Sequence, residues 1–483
     1  MIFRDNSVLR GAADARVEPE HDVPRRATRQ NENSWFAVCL IPTLCIVCLI
    51  WPALWNGYPI IFADTGTYLS QVMHGHLGWD RPVFYSLFIY PLHLELTTWP
   101  VILVQACLTI YVLDLTRRAF GLSRVWLLAL IPFLAVTTSL PWIVSELMPD
   151  LLTPLLILLL TLLVFAAPRF RTWERVTMTA LASFMIAAAQ SSVPLAFALL
   201  IIAIPLRWLA ARLHAGPPVP RDTGSLFAPL LAPVLAIVAM VLVNTVGFGR
   251  VSLSPYGNIF VLARVVYDGP GMTILREDCP VSGWLLCPYL DQFPATSDGF
   301  LWDKDSPIIL AGGHKAVSAD ADAIIHAALR SEPGRMLAVT WDNTIEQLTR
   351  FDSGDGLEPW DMQVAPLIDD DFPARESTAF HDARQQKGTL TVSPPLAITH
   401  WVVALAGIAA ALILLPIAWR RKHVAVWFLA VSLLALPISA AITGGLSTPH
   451  DRYQSRIVWL PACLALMTVV ALMQPVSRRR VEC

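Results

Sequence analysis

Ionisable residues are sparse in this chain, and those lying among apolar stretches gather in three short segments. The first is Tyr58-Pro59-Ile60-Ile61-Phe62-Ala63-Asp64-Thr65-Gly66-Thr67-Tyr68, where Asp64 is the only acid between residues 33 and 79. Behind it come His74, His76, Asp80, Arg81, Tyr85, Tyr90, His93 and Glu95, interleaved with aromatics. The second is Pro141-Trp142-Ile143-Val144-Ser145-Glu146-Leu147-Met148-Pro149-Asp150, and the third Ser447-Thr448-Pro449-His450-Asp451-Arg452-Tyr453-Gln454-Ser455-Arg456. A carboxylate in apolar surroundings can serve as a base if it reaches hydrogen-bond distance of the proton it removes. Arginine offers oxyanions a planar fork and keeps its charge. Two of them beside His450 and Tyr453 suit a phosphate or pyrophosphate.

Each segment also has a plainer account. Asp64 can cap a helix starting at Thr65, since Asp is favoured at that position. Pro149 at the first helical position puts Asp150 in the first turn, where a negative charge suits the helix dipole. Arg452 and Arg456 can snorkel to lipid headgroups. Glu146 has no such account, because an apolar hairpin gives a carboxylate no local reason to be there. Ionisable residues in or beside membrane spans are costly, which makes them functional candidates.

The elements that must position these segments are membrane helices. Of 483 residues, 55% are hydrophobic and 15% charged, with a mean hydropathy of +0.55; a soluble domain carries about 25% charged residues. This excludes a soluble enzyme, a disordered chain and a collagen-like fibre. With 35 Lys+Arg against 37 Asp+Glu, no basic excess exists to neutralise phosphates, so no nucleic-acid partner is expected. Windows of about 20 apolar residues fall near 35–55, 98–116, 124–143, 149–167, 175–190, 193–211, 226–247, 396–418, 424–442 and 456–474. Placing both termini in the cytoplasm puts the arginine-rich loops inside and leaves only Arg81, Arg452 and Arg456 on short outer loops, as the positive-inside rule requires. The expected fold is therefore an all-α polytopic membrane protein of about ten transmembrane helices.

The expected organisation is a disordered cytoplasmic tail over 1–34, a seven-span membrane domain over 35–247, an extracytoplasmic domain over 248–395, a three-span domain over 396–474 and a tail over 475–483. The outer loop 56–97 reads as helices lying along the membrane surface. The domain 248–395 is small and mainly helical, and holds 11 basic and 21 acidic residues. Within it, Ser318 can cap a helix through Arg330, and Gly334 to Phe351 has the spacing of a second. Cys279 and Cys287, facing an oxidising compartment, are expected to pair as a disulfide or else to be two buried thiols. The Asp369-Asp370-Asp371 run reads as a solvated stretch. No His/Cys spacing suggests zinc, no Gly-rich phosphate loop is present, and no cofactor or metal is expected.

This arrangement resembles the GT-C membrane glycosyltransferases, which include protein O-mannosyltransferases and lipid A aminoarabinose transferases. Phe62-Ala63-Asp64-Thr65 with Tyr68 sits where that class keeps an acid after its first helix, Met148-Pro149-Asp150-Leu151-Leu152 sits like its second acidic position, and Arg452-Tyr453 is similar to late Arg/Tyr positions. The likeness covers the architecture of about the first 250 residues and the tail. Asp64-Thr65 departs from the paired acids of the class, which bears on any metal site.

The resemblance implies a hexosyl or pentosyl transferase using a polyprenyl-phosphate-linked sugar on the extracytoplasmic side of a bacterial inner membrane. Its acceptor is a glycan, lipid or protein, and the surrounding lipids are its other partners. It further implies Asp64 as general base with inversion at the sugar, Asp150 as a second catalytic acid, and the donor phosphate near Arg452, Tyr453, Tyr68, His450 or Arg81; Glu146 is a further catalytic candidate from its place in an apolar hairpin alone. A transporter or flippase, a polysaccharide polymerase or ligase, and a structural assembly role are the rival readings.

Overall fold

A computed structural model describes residues 41–213, 219–220 and 223–474. The expected tails 1–34 and 475–483, the first six residues of the first expected span, and Arg221 lie outside the described residues. The described chain is helical, and the one β-type pairing among the described residues is an isolated bridge between Ile60 and Glu146.

Every apolar window holds helix, and among the described residues six helices are long and apolar enough to cross a membrane: Trp99–Phe120, Ser192–Arg212, Gly224–Phe248, Pro394–Arg420, Ala425–Leu446 and Asp451–Met473. The other windows differ for local reasons. The first divides into Ile41–Leu49 and Trp51–Asn56. The window 124–143 breaks after Leu127–Thr137, because Thr138 is extended (φ −138°, ψ 168°) and its hydroxyl donates to Leu134 O, closing the helix. The helix Leu152–Phe165 has 14 residues, a rise of about 21 Å against roughly 30 Å of hydrocarbon.

That short helix is the centre of the bundle. All its residues, from Leu152 to Phe165, are buried, as a helix apolar on every side must be. It packs against Trp99–Phe120, Thr172–Ala188, Ser192–Leu213, Ala425–Leu446 and Asp451–Met473. Its N-terminal end carries Pro149 and Asp150 in a single 3-10 turn. Beside it, Pro394–Arg420 lies close along Asp451–Met473: a Cβ added at Gly407 would come within 2.5 Å of Ala462. Small residues permit that approach between membrane helices.

In the outer loop 56–97, the helices Ala63–Met73 and Val83–His93 pack together, with Tyr68 edge-on to Tyr85 (ring centroids 5.0 Å). The segment 248–395 makes two kinds of contact. Its first part has its own core around Leu262, Leu275, Phe300 and Ile324, and there Cys279 and Cys287 are bonded as a disulfide. The helix expected to start at Ser318 runs from His314 to Ser331 instead. It begins after the turn Gly312-Gly313 (φ +99° and +87°), and Ser318 is buried inside it, donating to Asn258 Oδ1 and accepting from Arg250 Nη1.

The second part joins the membrane bundle. Pro333–Thr349 packs along Ala425–Leu446. Residues 351–390 clasp the first outer loop through Gln385, whose backbone N–H donates to Asn56 Oδ1 (2.8 Å). Its side chain both accepts from Ile61 N (3.0 Å) and donates to Ile61 O (2.6 Å). Two acids of the run Asp369-Asp370-Asp371 are paired: Asp371 with His74, and Asp369 with Ser377 and His381.

Candidate functional site

The three polar segments meet at one end of the bundle, and two backbone devices bring the first two together. Ile60 N–H donates to Ser145 O (2.9 Å) and Leu147 N–H to Ile60 O (2.9 Å), forming the bridge opposite Glu146. Thr65 Oγ1 then accepts from Phe62 N (3.0 Å) and donates to Leu147 O (3.1 Å). The first helix of the loop therefore starts at Ala63, with extended Phe62 before it. Asp64 lies within its first turn and is not the cap.

Asp64 is held between two arginines from distant parts of the chain. Its Oδ1 accepts from Arg81 Nη2 at 2.7 Å, and its Oδ2 lies 3.4 Å from Arg452 Nη2. Burial acts to raise its pKa, but Arg81 and Arg452 outweigh it and hold the carboxyl below the ordinary aspartate value. Asp80, buried next to Arg81, is shifted upward by desolvation. Arg452 stacks 4.1 Å from the Phe62 ring centroid and 5.1 Å from that of Tyr453, and its backbone N–H donates to Asp355 Oδ2 (3.0 Å).

One turn further along the last helix, Arg456 pairs with Asp150 at 2.7 Å, the two side chains being only 5% and 7% exposed. Its guanidinium also lies 5.3 Å from the Tyr453 ring centroid. Arg452 Nη1, Arg81 Nε and Arg456 Nε are buried without an acceptor. Buried donors of this kind are rare and call for an explanation; an oxyanion supplies one.

Glu146 differs from both aspartates. Gln105 Nε2 donates to Glu146 O (2.9 Å) and Val144 O (3.0 Å), while Tyr85 OH donates to Gln105 Oε1 (2.7 Å). The backbone is thus fixed from two sides. Its side chain lines a narrow cleft with Trp142, Asp150, Asp355, Arg452 and Ile60, about 30 Å³ measured to the centres of water-sized spheres. Burial, with the Asp150 charge added, pushes its pKa well above the usual glutamate value. The two acids are driven in opposite directions, Asp64 toward its ionised form and Glu146 toward its protonated one, a separation that marks candidate acid/base sites.

The remaining expected residues fall into place around this pair. Tyr68 is buried on the Asp64 helix, behind the carboxylate. His450 precedes the last helix, with its backbone N–H and C=O bonded to Gln347 (2.9 and 2.8 Å). Burial, then the Arg452 charge, lowers its pKa, which disfavours a cation there. His74 is turned away, toward Asp371.

Asp355 belongs to the cleft and escaped the sequence. It sits between Gly354 (φ +98°) and Gly356 (φ +82°), where a Cβ on Gly356 would strike the Phe62 ring at 2.2 Å. The available signal was an acid flanked by glycines, in a segment rich in acids. Among the described residues, no group of three or more His, Cys, Asp or Glu side chains is arranged to hold a metal ion. Comparison with family models, curated proteins and solved structures finds no match.

Proposed function

We propose that this chain is a multi-pass membrane glycosyltransferase of the GT-C type. It moves a sugar from a polyprenyl-phosphate donor to an acceptor on the outer face of a bacterial inner membrane. The reading takes ten spans with both termini cytoplasmic. The observation that carries it is the set of buried arginines, Arg81, Arg452 and Arg456, with unanswered N–H groups around acids of opposed proton affinity.

The donor phosphate takes Arg452, with Arg81 beside it, and fixed cations there stabilise the charge that develops on the departing oxygen. Drawing the two guanidiniums onto the phosphate loosens their hold on Asp64 and restores its basicity. The acceptor hydroxyl gives its proton to Asp64, its oxygen bonds to the anomeric carbon, and the bond from that carbon to the phosphate oxygen breaks with inversion. Polyprenyl phosphate leaves as the anion. A sugar-binding pocket measures some 300 Å³ or more, so donor entry parts the walls of the cleft. Charges collected at the outer ends of helices favour this chemistry over transport, which places its substrate sites near the membrane midplane.

The test uses full-length protein in nanodiscs, titrated with a polyprenyl-phosphate sugar. Arg452→Ala is expected to weaken binding by about 30-fold or more, the equivalent of roughly 2 kcal/mol for a buried charged contact. Asp64→Asn is expected to bind the donor and lose turnover. Product analysis separates transfer of one sugar from polymerisation. Absence of specific binding in every form, or full turnover by Asp64→Asn, refutes the assignment.

A further inference from the structure

The helix Pro333–Thr349 has three faces of different chemistry. Thr344 and Gln347 are buried where it packs along the membrane-spanning helix Ala425–Leu446. The approach is close: a Cβ added at Gly444 would lie 2.5 Å from Asn343 O, and one at Gly445 would lie 3.0 Å from Thr340 Cγ2. A second face carries Arg335, Asp342 and Glu346 toward solvent. The third carries Leu337, Trp341 and Ile345, spaced four residues apart and 72%, 66% and 43% exposed. At the end of the spanning helix Leu446 is likewise exposed, at 54%.

We propose that Pro333–Thr349 is seated in the outer membrane–water interface and contacts lipid through Leu337, Trp341 and Ile345. Three observations favour lipid as the occupant. The helix packs against the end of a membrane-spanning helix at Gly444 and Gly445, which sets its free apolar stripe at the edge of the bilayer. The stripe is bordered by a charged face, the segregation that holds a helix in the interface plane. Its largest member is a tryptophan, enriched at that depth.

The seat also bears on the arginine site. Gln347 makes both backbone bonds of His450, and Arg350 just beyond the helix donates to Pro449 O (3.1 Å) and lies 3.5 Å from Asp451. The depth at which the helix rests therefore sets the height of the chain that carries Arg452.

The experiment compares neighbours on the two outward faces. Full-length Trp341→Cys and Asp342→Cys variants in sealed vesicles are treated with a water-soluble maleimide on the outer side, and the peptide containing each position is weighed by mass spectrometry. The thiol introduced at position 342 is expected to react at least tenfold faster than that at 341, and the two rates to converge once the protein is unfolded. Leu337→Cys and Glu346→Cys should reproduce the contrast. Equal fast labelling at 341 and 342 in vesicles overturns the proposal, because the stripe then faces water. Equal protection of 341 against N-ethylmaleimide, which partitions into lipid, also overturns it, because protein then covers the stripe. The readout is independent of transfer activity, so its failure and that of the transferase reading are distinguishable.

Discussion

Removing Arg456 tests the buried geometry of the site most directly. Its guanidinium is 2.7 Å from Asp150, and neither side chain exceeds 7% exposure. Arg456→Met keeps most of the volume and deletes the charge, leaving the Asp150 carboxylate in the protein without its partner. Stripping one member from a buried pair costs about 3–5 kcal/mol, against a typical total stability of roughly 5–15 kcal/mol. Asp150→Asn should cost a comparable amount, because it leaves the arginine unpaired. The double variant should recover much of the loss, with a coupling energy of roughly 2 kcal/mol or more. The assay is reversible unfolding in mixed micelles, followed by tryptophan fluorescence for all four proteins. A single-variant cost below about 1 kcal/mol is the value for an exposed pair. That outcome, or strict additivity, refutes the picture of a closed, water-poor site.

Further tests address the supports around that pair. Glu146 has a raised pKa in the folded chain, so between the ordinary glutamate value and the raised one the native state binds a proton the unfolded state lacks. Stability must then fall as pH rises through that window, and Glu146→Gln should flatten the slope in unfolding measured across pH. Thr65→Val removes the hydroxyl that bonds both Phe62 N and Leu147 O, and should cost about 1–3 kcal/mol in the same assay. Gly356→Val combines a φ of +82° with a clash on Phe62; a lowered Tm and weaker donor binding are expected together. Disrupting Cys279–Cys287, a pair eight residues apart, should destabilise the extracytoplasmic core by about 2–3 kcal/mol and leave unfolding of the membrane bundle unchanged.

The helical architecture was legible because apolar runs of membrane length survive any local detail. What hydropathy could not see was the break at Thr138, where a window averages over a single extended residue. The site was legible as three parts and not as a whole. Asp64 and Arg452 are 388 residues apart, and the devices that join the loops, Ile60 with Ser145 and Leu147, are backbone bonds indifferent to side-chain identity. Asp64 had a sound local account as a cap, but Thr65 Oγ1 takes the Phe62 N–H instead and shifts the helix start by two residues. Asp355 was hidden among 21 acids of one segment, and only the approach of its loop to Phe62 distinguishes it. Ser318 looked like a cap by type, yet the turn at Gly312-Gly313 begins that helix earlier.

The separation of Asp64 from Arg452 also has a consequence in time. A ribosome adds about 5–20 residues per second, so the 388 residues between them take roughly 20–80 s to emerge. In the proposed topology the loop 56–97 is across the membrane throughout that interval, with its acid in an apolar setting. Arg81, only 17 residues downstream, arrives within a few seconds and can neutralise Asp64 while the chain is still being made. On this view Arg81 is the carboxylate's companion during synthesis, and the site is not assembled until the last helix delivers Arg452.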